Sequence, residues 1–457
     1  MSKPYLVISS PVDTYSGYGA RGRDFVKALI NLDKYDVKII PQRWGSTPEF
    51  FLDDNEEWTY LKEFYIEKPD RQPDIWIQHT IPSEFQKVGK FNIGLTAGIE
   101  TTAARSEWVE GLNRMDLIIG SSNHTINSFN NSIYEKVDKR SNSVVGQVKP
   151  EVPMEVLFEG IDTEVYKIKK SKFNLNKVKE DFCFLFVGHW MQGNIGEDRK
   201  NVGLLVKGFL ELFKNKKNAP ALILKTCHGN SSILDRNNLL KKIDQIKKGV
   251  KANRLPNIYL VHGDLTNEEM SCLYNHKKIK AMVSLTKGEG FGRPLLEFTA
   301  TKKPVIASGW SGHVDFLDKD LSILLAGELK DVDGGAANEW IIKDSKWFNV
   351  DLQSFAGAMM VVFNNYEEYL IRGKKQGTKN IKNFSLNNMQ IKLDEILDKY
   401  IPEFPKQVQL NLPKLKLPKL DKKINSTLPK LQLPKLEKPK IDNKKETFPK
   451  LQNVSND

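Results

Sequence analysis

The chain has 457 residues, 40% hydrophobic and 28% charged, with a formal net charge of +12, enough for two domains of ordinary size with separate cores. The charge is unevenly placed: residues 401–457 hold thirteen lysines against six acidic residues, +7 of the +12, so the remaining 400 residues are not a general nucleic-acid surface. The longest apolar runs, such as 181–187 and 221–224, have strand length, and residues 1–10 lack the apolar core of a signal peptide, which excludes a membrane span and predicts an intracellular protein.

In chain order, strand-like runs alternate with helical ones: Tyr5 to Ser9, a helix from Gly22 to Leu32, then strands at Tyr35 to Pro41, Ile75 to His79, Asn92 to Ala97 and Leu117 to Ser121. This is the doubly wound α/β pattern. The first loop, Ser10 to Arg23, carries Gly17 and Gly19 and two arginines, Arg21 and Arg23, which are either ligands for an anion or an acceptor or solvated side chains. His79 ends a strand and reads as structural or as a rim residue. The segment Glu155 to Asp162 closes a first domain expected over 1–168, and Lys167 to Asp181, rich in Lys and Asn, reads as a connection. A second domain is expected over 176–385, with strands at Phe184 to Val187, Leu222 to Lys225, Ile258 to Val261, Ile279 to Leu285 and Pro304 to Ala307. Ser385 opens an amphipathic closing helix over 386–400. Cys183, Cys227 and Cys272 show no metal-ligand spacing and read as reduced core residues.

Beyond Ile401, Leu-Pro-Lys-Leu recurs at 412, 417, 428 and 433, and eight of the 21 prolines fall there. Proline at that density forbids a continuous helix or central strand, so a disordered, locally extended tail over 401–457 is expected. Leucines beside each Pro-Lys make an apolar stripe next to a basic one, suited to a protein partner, a nucleic acid or an anionic membrane surface.

The densest chemistry lies in Glu289-Gly-Phe-Gly-Arg-Pro-Leu-Leu-Glu297. A buried strand leads into a glycine turn, and Pro294 fits the first turn of a helix. The N–H groups of Gly290, Phe291 and Gly292 would face a ligand above the strand end. Two carboxylates, Glu289 and Glu297, accept hydrogen bonds from vicinal hydroxyls, so a sugar nucleotide is implied: sugar near Glu289, ribose near Glu297.

This stretch, with Thr301 to Ser308 and Gly309-Trp-Ser-Gly-His313 after it, resembles the E-x7-E motif of retaining glycosyltransferases with the two-domain GT-B fold, in the large family that includes sucrose synthases and bacterial mannosyltransferases. The overall pattern is similar to transferases encoded by large bacterial viruses, some of which glycosylate modified DNA bases, and implies a cytoplasmic enzyme of the cell or infected host. The resemblance implies two Rossmann-like domains facing a cleft, a nucleoside-diphosphate sugar as donor and no separate cofactor. It implies a basic pair for the donor diphosphate, carried here by Lys200 and Arg199, with His189 at the position where the family has an arginine. Gly17 and Gly19 would bring backbone to the donor phosphates from the other wall. Relatives carry a histidine near Gly98 to Glu100; this chain has none there, which leaves Glu100 as the polar candidate, and His313 could reach the cleft. Glu159 replaces a family asparagine.

No D-x-D segment stands where a metal-dependent transferase would place it, so transfer without a divalent ion is expected. The chain lacks a phosphorylase's cofactor-lysine motif, and its E-x7-E argues against an epimerase. The rival reading is a non-catalytic sugar-nucleotide-binding or scaffolding protein. The acceptor is open among a glycan, a lipid, a protein and a modified DNA base.

Overall fold

The computed structural model describes residues 3–138, 140–229 and 231–404; the Leu-Pro-Lys-Leu repeats lie outside the described residues. Two six-stranded parallel sheets organise the chain. The first takes β1 (Tyr5–Ser10), β2 (Asp36–Pro41), β3 (Ile75–His79), β4 (Phe91–Thr96) and β5 (Leu117–Gly120). A separate antiparallel hairpin, β6 (Tyr134–Val137) with β7 (Val144–Val148), precedes its last strand, β8 (Met154–Val156). The strand order is β2-β1-β3-β4-β5-β8.

The second sheet contains β9 (Cys183–Val187), β10 (Ala221–Lys225), β11 (Ile258–Val261), β12 (Ile279–Ser284), β13 (Val305–Ser308) and β14 (Ile323–Leu325). Its order is β11-β10-β9-β12-β13-β14, followed in the chain by a hairpin of β15 (Gly327–Asp331) and β16 (Lys346–Val350). The helices are α1 (Gly17–Leu32), α2 (Phe51–Asp54), α3 (Ser106–Leu112) and α4 (Asn123–Asn130) in the first half, and α5 (Val202–Phe213), α6 (Ile233–Lys248), α7 (Asn267–Asn275), α8 (Arg293–Thr299), α9 (Leu352–Asn364), α10 (Tyr366–Asn383) and α11 (Leu386–Tyr400) in the second.

Parallel strands are covered on both faces, which is why they read as continuous apolar runs. Alternation divides each strand between two cores: Leu6 and Ile8 pack with Phe25 and Leu29 of α1, whereas Tyr5 and Val7 share a layer with Trp108 and Leu112 of α3. In the second sheet Phe184 and Phe186 pack on α5 and α9, and Cys183 and Leu185 face α8. Ser385 caps α11, accepting from the amide of Asn388, and Met389, Leu393, Ile396 and Leu397 of this helix enter the first sheet's core.

In both parallel sheets the order in which strands are added reverses once. The switch falls between β1 and β3 in the first and between β9 and β12 in the second, and ligands of such sheets bind beyond the carboxyl ends of those strands. Three expectations change. The first helix begins at Gly17, five residues before Gly22, because Ser16 accepts from the amide of Gly19 and caps it there; Gly17 and Gly19 therefore sit in a helical turn, not in a loop. Only Cys183 is a core residue, since Cys227 and Cys272 are half-buried, all three as free thiols. The β15–β16 excursion was not expected, and it lays Val332, Ile341 and Trp347 into the apolar layer that holds Trp108 of the first half. Among the described residues no helix is long and apolar enough to cross a membrane.

Candidate active site

The loops that leave β9 and β12 meet over the second switch point. Asp198 accepts from the amide of Asn201 at 2.7 Å, and Asn201 takes a left-handed φ of 58°, a conformation asparagine tolerates better than most residues. That turn sets Arg199 and Lys200 ahead of α5. The amide of Lys287, in the loop after β12, donates to the carbonyl of Arg199 at 2.7 Å and ties the loops together.

Lys200 Nζ lies 2.5 and 2.7 Å from the two carboxylate oxygens of Glu289. Arg199 spans the cleft: Nη1 donates to the carbonyl of Gly288 at 2.9 Å and stands 3.7 Å from Glu289, while Nη2 is 3.1 Å from Glu100 of the first domain. Burial by itself would raise the Glu289 carboxyl; the charges of Lys200 and Arg199 outweigh it and hold it down at about 2. Burial also lowers the Lys200 pKa in spite of Glu289. The short two-oxygen contact is the reason to treat both groups as charged at neutral pH.

The glycine turn is shaped by the opposite domain. A Cβ on Gly288 would stand 2.0 Å from the carbonyl oxygen of Glu100, and one on Gly290 2.6 Å from that of Ala97, so only glycine admits this approach. Ser121 and Ser122 donate to the Gly290 carbonyl at 3.0 and 2.5 Å, and the Glu289 amide donates to Ser311 at 2.9 Å. The amides of Gly290, Phe291 and Gly292 donate to no protein acceptor among the described residues. The Phe291 ring is buried against Phe316, so its share in any ligand site is its backbone.

Glu297 lies one turn into α8, buried, and accepts from Nε of Arg293 at 2.8 Å. The same guanidinium reaches Asp24 of α1 at 2.5 Å and stands 4.0 Å from Glu159. Burial raises the Glu297 and Glu159 carboxyls, opposed by Arg293 and, for Glu159, by Arg21. The second carboxylate of the motif is thus turned onto a cation that also bridges the domains.

Arg21 and Arg23 are neither solvated nor free for a ligand. Arg21 donates to the carbonyls of Thr96 and Leu157, both at 3.2 Å, and Arg23 to those of Val12 and Thr14 at 2.7 and 2.9 Å, with its guanidinium on the Phe51 ring. His313 is fully buried beneath the turn, donating from Nε2 to the Ser308 carbonyl at 2.6 Å; burial lowers its pKa. His79 is fully buried beside Ser10. His189 faces the thiol of Cys227 at 3.2 Å. Gly17 meets nothing within 4 Å, whereas a Cβ on Gly19 would press on the Thr14 carbonyl at 2.3 Å.

Sequence reasoning did not single out Arg293, Asp24 or Lys287. Lys287 is buried over the Trp347 ring with its ammonium 2.9 Å from Asp333. The i,i+4 spacing of Arg293 and Glu297 was a readable signal; the contact of Arg293 with Asp24, 269 positions away, had none.

No protein-family model matches the sequence, and no curated protein matches it. Solved structures are similar to it. HepE of Anabaena in complex with UDP and glucose has 12% identity and a TM-score of 0.57, over 87% of this chain and 100% of that one. Sucrose-phosphate synthase of Thermosynechococcus elongatus has 13% identity and a TM-score of 0.55, over 87% and 98%. A glycosyltransferase of Rickettsia africae has 15% identity and a TM-score of 0.54, over 88% and 99%. With the two facing parallel sheets, these likenesses define the fold as GT-B.

Proposed function

We propose that the chain is a retaining glycosyltransferase of the E-x7-E kind that moves a hexosyl or pentosyl group from a nucleoside-diphosphate sugar to an acceptor hydroxyl, in the cytoplasm and without a divalent ion. The observation that carries this reading is the meeting of Lys200, Arg199, Glu289 and three unpartnered amides at the switch point of the second sheet. The similarity to HepE, which holds UDP and glucose, supports a donor of that type.

In this reading the diphosphate lies against Lys200, Arg199 and the amides of Gly290, Phe291 and Gly292, with the backbone about Gly17 and Gly19 on the other wall. The bond between the anomeric carbon and the diphosphate oxygen breaks with its electron pair going to that oxygen, where the two cations stabilise the growing charge. The acceptor oxygen bonds to the anomeric carbon on the face the diphosphate leaves, and its proton passes to the departing diphosphate. Glu289 orients sugar hydroxyls and Glu297 the ribose. Glu100 holds Arg199 in place from the first domain. The basic repeats beyond residue 404 serve as a tether to a protein partner, a nucleic acid or an anionic membrane surface.

Donor hydrolysis in excess chelator tests this. Slow release of UDP from UDP-glucose, or of the matching nucleotide from a panel of other donors, is the expected result. Binding of the nucleotide with no cleavage of any donor would instead establish a sugar-nucleotide-binding protein, and cleavage restored only by magnesium or manganese would remove the metal-free mechanism.

A further inference from the structure

Three rings stand in a stack beyond the carboxyl end of the first sheet. His79, the last residue of β3, lies parallel to Tyr18 with centroids 4.9 Å apart, and Tyr18 lies parallel to Trp44 at 3.8 Å. The stack is fixed at its centre. The Tyr18 hydroxyl meets Thr96 Oγ1 at 3.2 Å and accepts from the amide of Ala97 at 3.1 Å. The carbonyl of Ala97 is the group against which Gly290 docks, so Trp44 belongs to the first domain's wall of the cleft, one ring away from the backbone that meets the Glu289 turn.

Trp44 is half-buried, backed on one face by Tyr18, and its indole N–H donates to no acceptor among the described residues. A preformed flat apolar face with a free donor at its edge is a ligand-binding feature, because the ring is already ordered and loses little freedom on contact. The charge of the segment that carries it selects the ligand. Residues 41–57 contain five acidic side chains, Glu49, Asp53, Asp54, Glu56 and Glu57, against a single basic one, Arg43. Arg43 is itself held by Glu49 at 2.8 Å. A polyanion brought to this segment meets like charge, whereas a neutral ligand rich in hydroxyls finds a ring for its C–H face.

We propose that Trp44 is the platform of the acceptor site and that the acceptor is a neutral saccharide. This rests on the glycosyl-transfer reading given above and narrows its acceptor from the four classes left open by the sequence. A nucleic acid, whose bases also stack on aromatic rings, is disfavoured by the acidic segment and by the pairing of its one arginine, Arg43, with Glu49.

The experiment uses the full chain with UDP present, applied to a printed array of neutral and anionic oligosaccharides, with a twenty-nucleotide oligothymidine as the polyanionic probe. The account expects binding to at least one neutral oligosaccharide. It expects Trp44→Ala to weaken that binding about tenfold or more and Trp44→Phe, which keeps a ring, to weaken it less. Far-ultraviolet circular dichroism and the melting temperature of each variant separate loss of binding from loss of fold, and Trp44→Phe carries the comparison if the alanine variant does not fold. No neutral oligosaccharide bound, equal binding by wild type and both variants, or oligothymidine binding that Trp44→Ala abolishes would each overturn the proposal. UDP affinity is read in parallel. UDP bound without any saccharide defeats the acceptor inference alone, while no nucleotide bound defeats the glycosyl-transfer reading and leaves the saccharide arm to be judged separately.

Discussion

Replacing Lys200 by alanine strips Glu289 of its nearer cation and leaves Arg199 at 3.7 Å. Breaking a buried ion pair from one side costs about 3–5 kcal/mol because the surviving charge is uncompensated. The lowered carboxyl agrees in sign and order: a depression from 4.5 to about 2 corresponds to about 3 kcal/mol at roughly 1.4 kcal/mol per tenfold change in proton affinity. Arg199 remains, so the expected loss of stability is about 2–3 kcal/mol. A carboxyl depressed on folding stabilises the protein above its unfolded pKa and loses that contribution as pH falls through the folded one. For Glu289 the window is therefore 4.5 down to about 2, and in Lys200→Ala the acid loss moves to higher pH.

Urea unfolding between pH 3 and pH 8 reads both effects. Turnover falls separately, by about 100-fold or more, because a fixed cation acts mostly on the departing diphosphate. The double variant Lys200→Ala/Glu289→Gln recovers stability, since no buried carboxylate is left unpaired, and does not recover rate. A Lys200→Ala protein as stable as wild type would refute the ion-pair account, and one with lowered stability but wild-type donor hydrolysis would make Lys200 purely structural.

Glu297→Gln is expected to weaken UDP binding by about 1.5–3 kcal/mol by calorimetric titration, and unchanged affinity removes the ribose assignment. Gly288→Ala drives a Cβ to 2.0 Å from the Glu100 carbonyl, so its melting curve should show a loss of about 1–3 kcal/mol; an unaltered curve would mean that the two domains do not hold this approach in solution. Truncation after Phe404 should leave stability and donor hydrolysis near full-length values while abolishing a salt-dependent association with anionic vesicles or DNA; a truncated chain that fails to fold would contradict the placing of the domain end.

The sheets were legible because buried parallel strands are short apolar runs between turn signals, as in Tyr5–Ser10, Ile75–His79 and Leu117–Gly120. Three of the unexpected strands lack it. Gly327–Asp331 is exposed along its whole length, Val144–Val148 pairs only with its own hairpin partner, and Ile323–Leu325 is three residues long. At the candidate site, Glu289, Glu297 and Lys200 stand in local patterns that a sequence displays. Their partners do not: Glu100 and Arg199 are 99 positions apart, and nothing near Arg21 or Arg23 distinguishes a guanidinium bonded to backbone carbonyls from a solvated one. Gly288 and Gly290 read as a flexible turn, yet the backbone of the facing domain is what requires them.

The most direct test of the central claim is proton nuclear magnetic resonance of the full chain with UDP-glucose, excess chelator and a neutral oligosaccharide acceptor, following the anomeric signals from the first turnover. The account predicts release of UDP and a new glycosidic signal in the α configuration of the donor. A product of β configuration, or every donor of a nucleotide-sugar panel left intact by protein shown to bind the nucleotide, would contradict it.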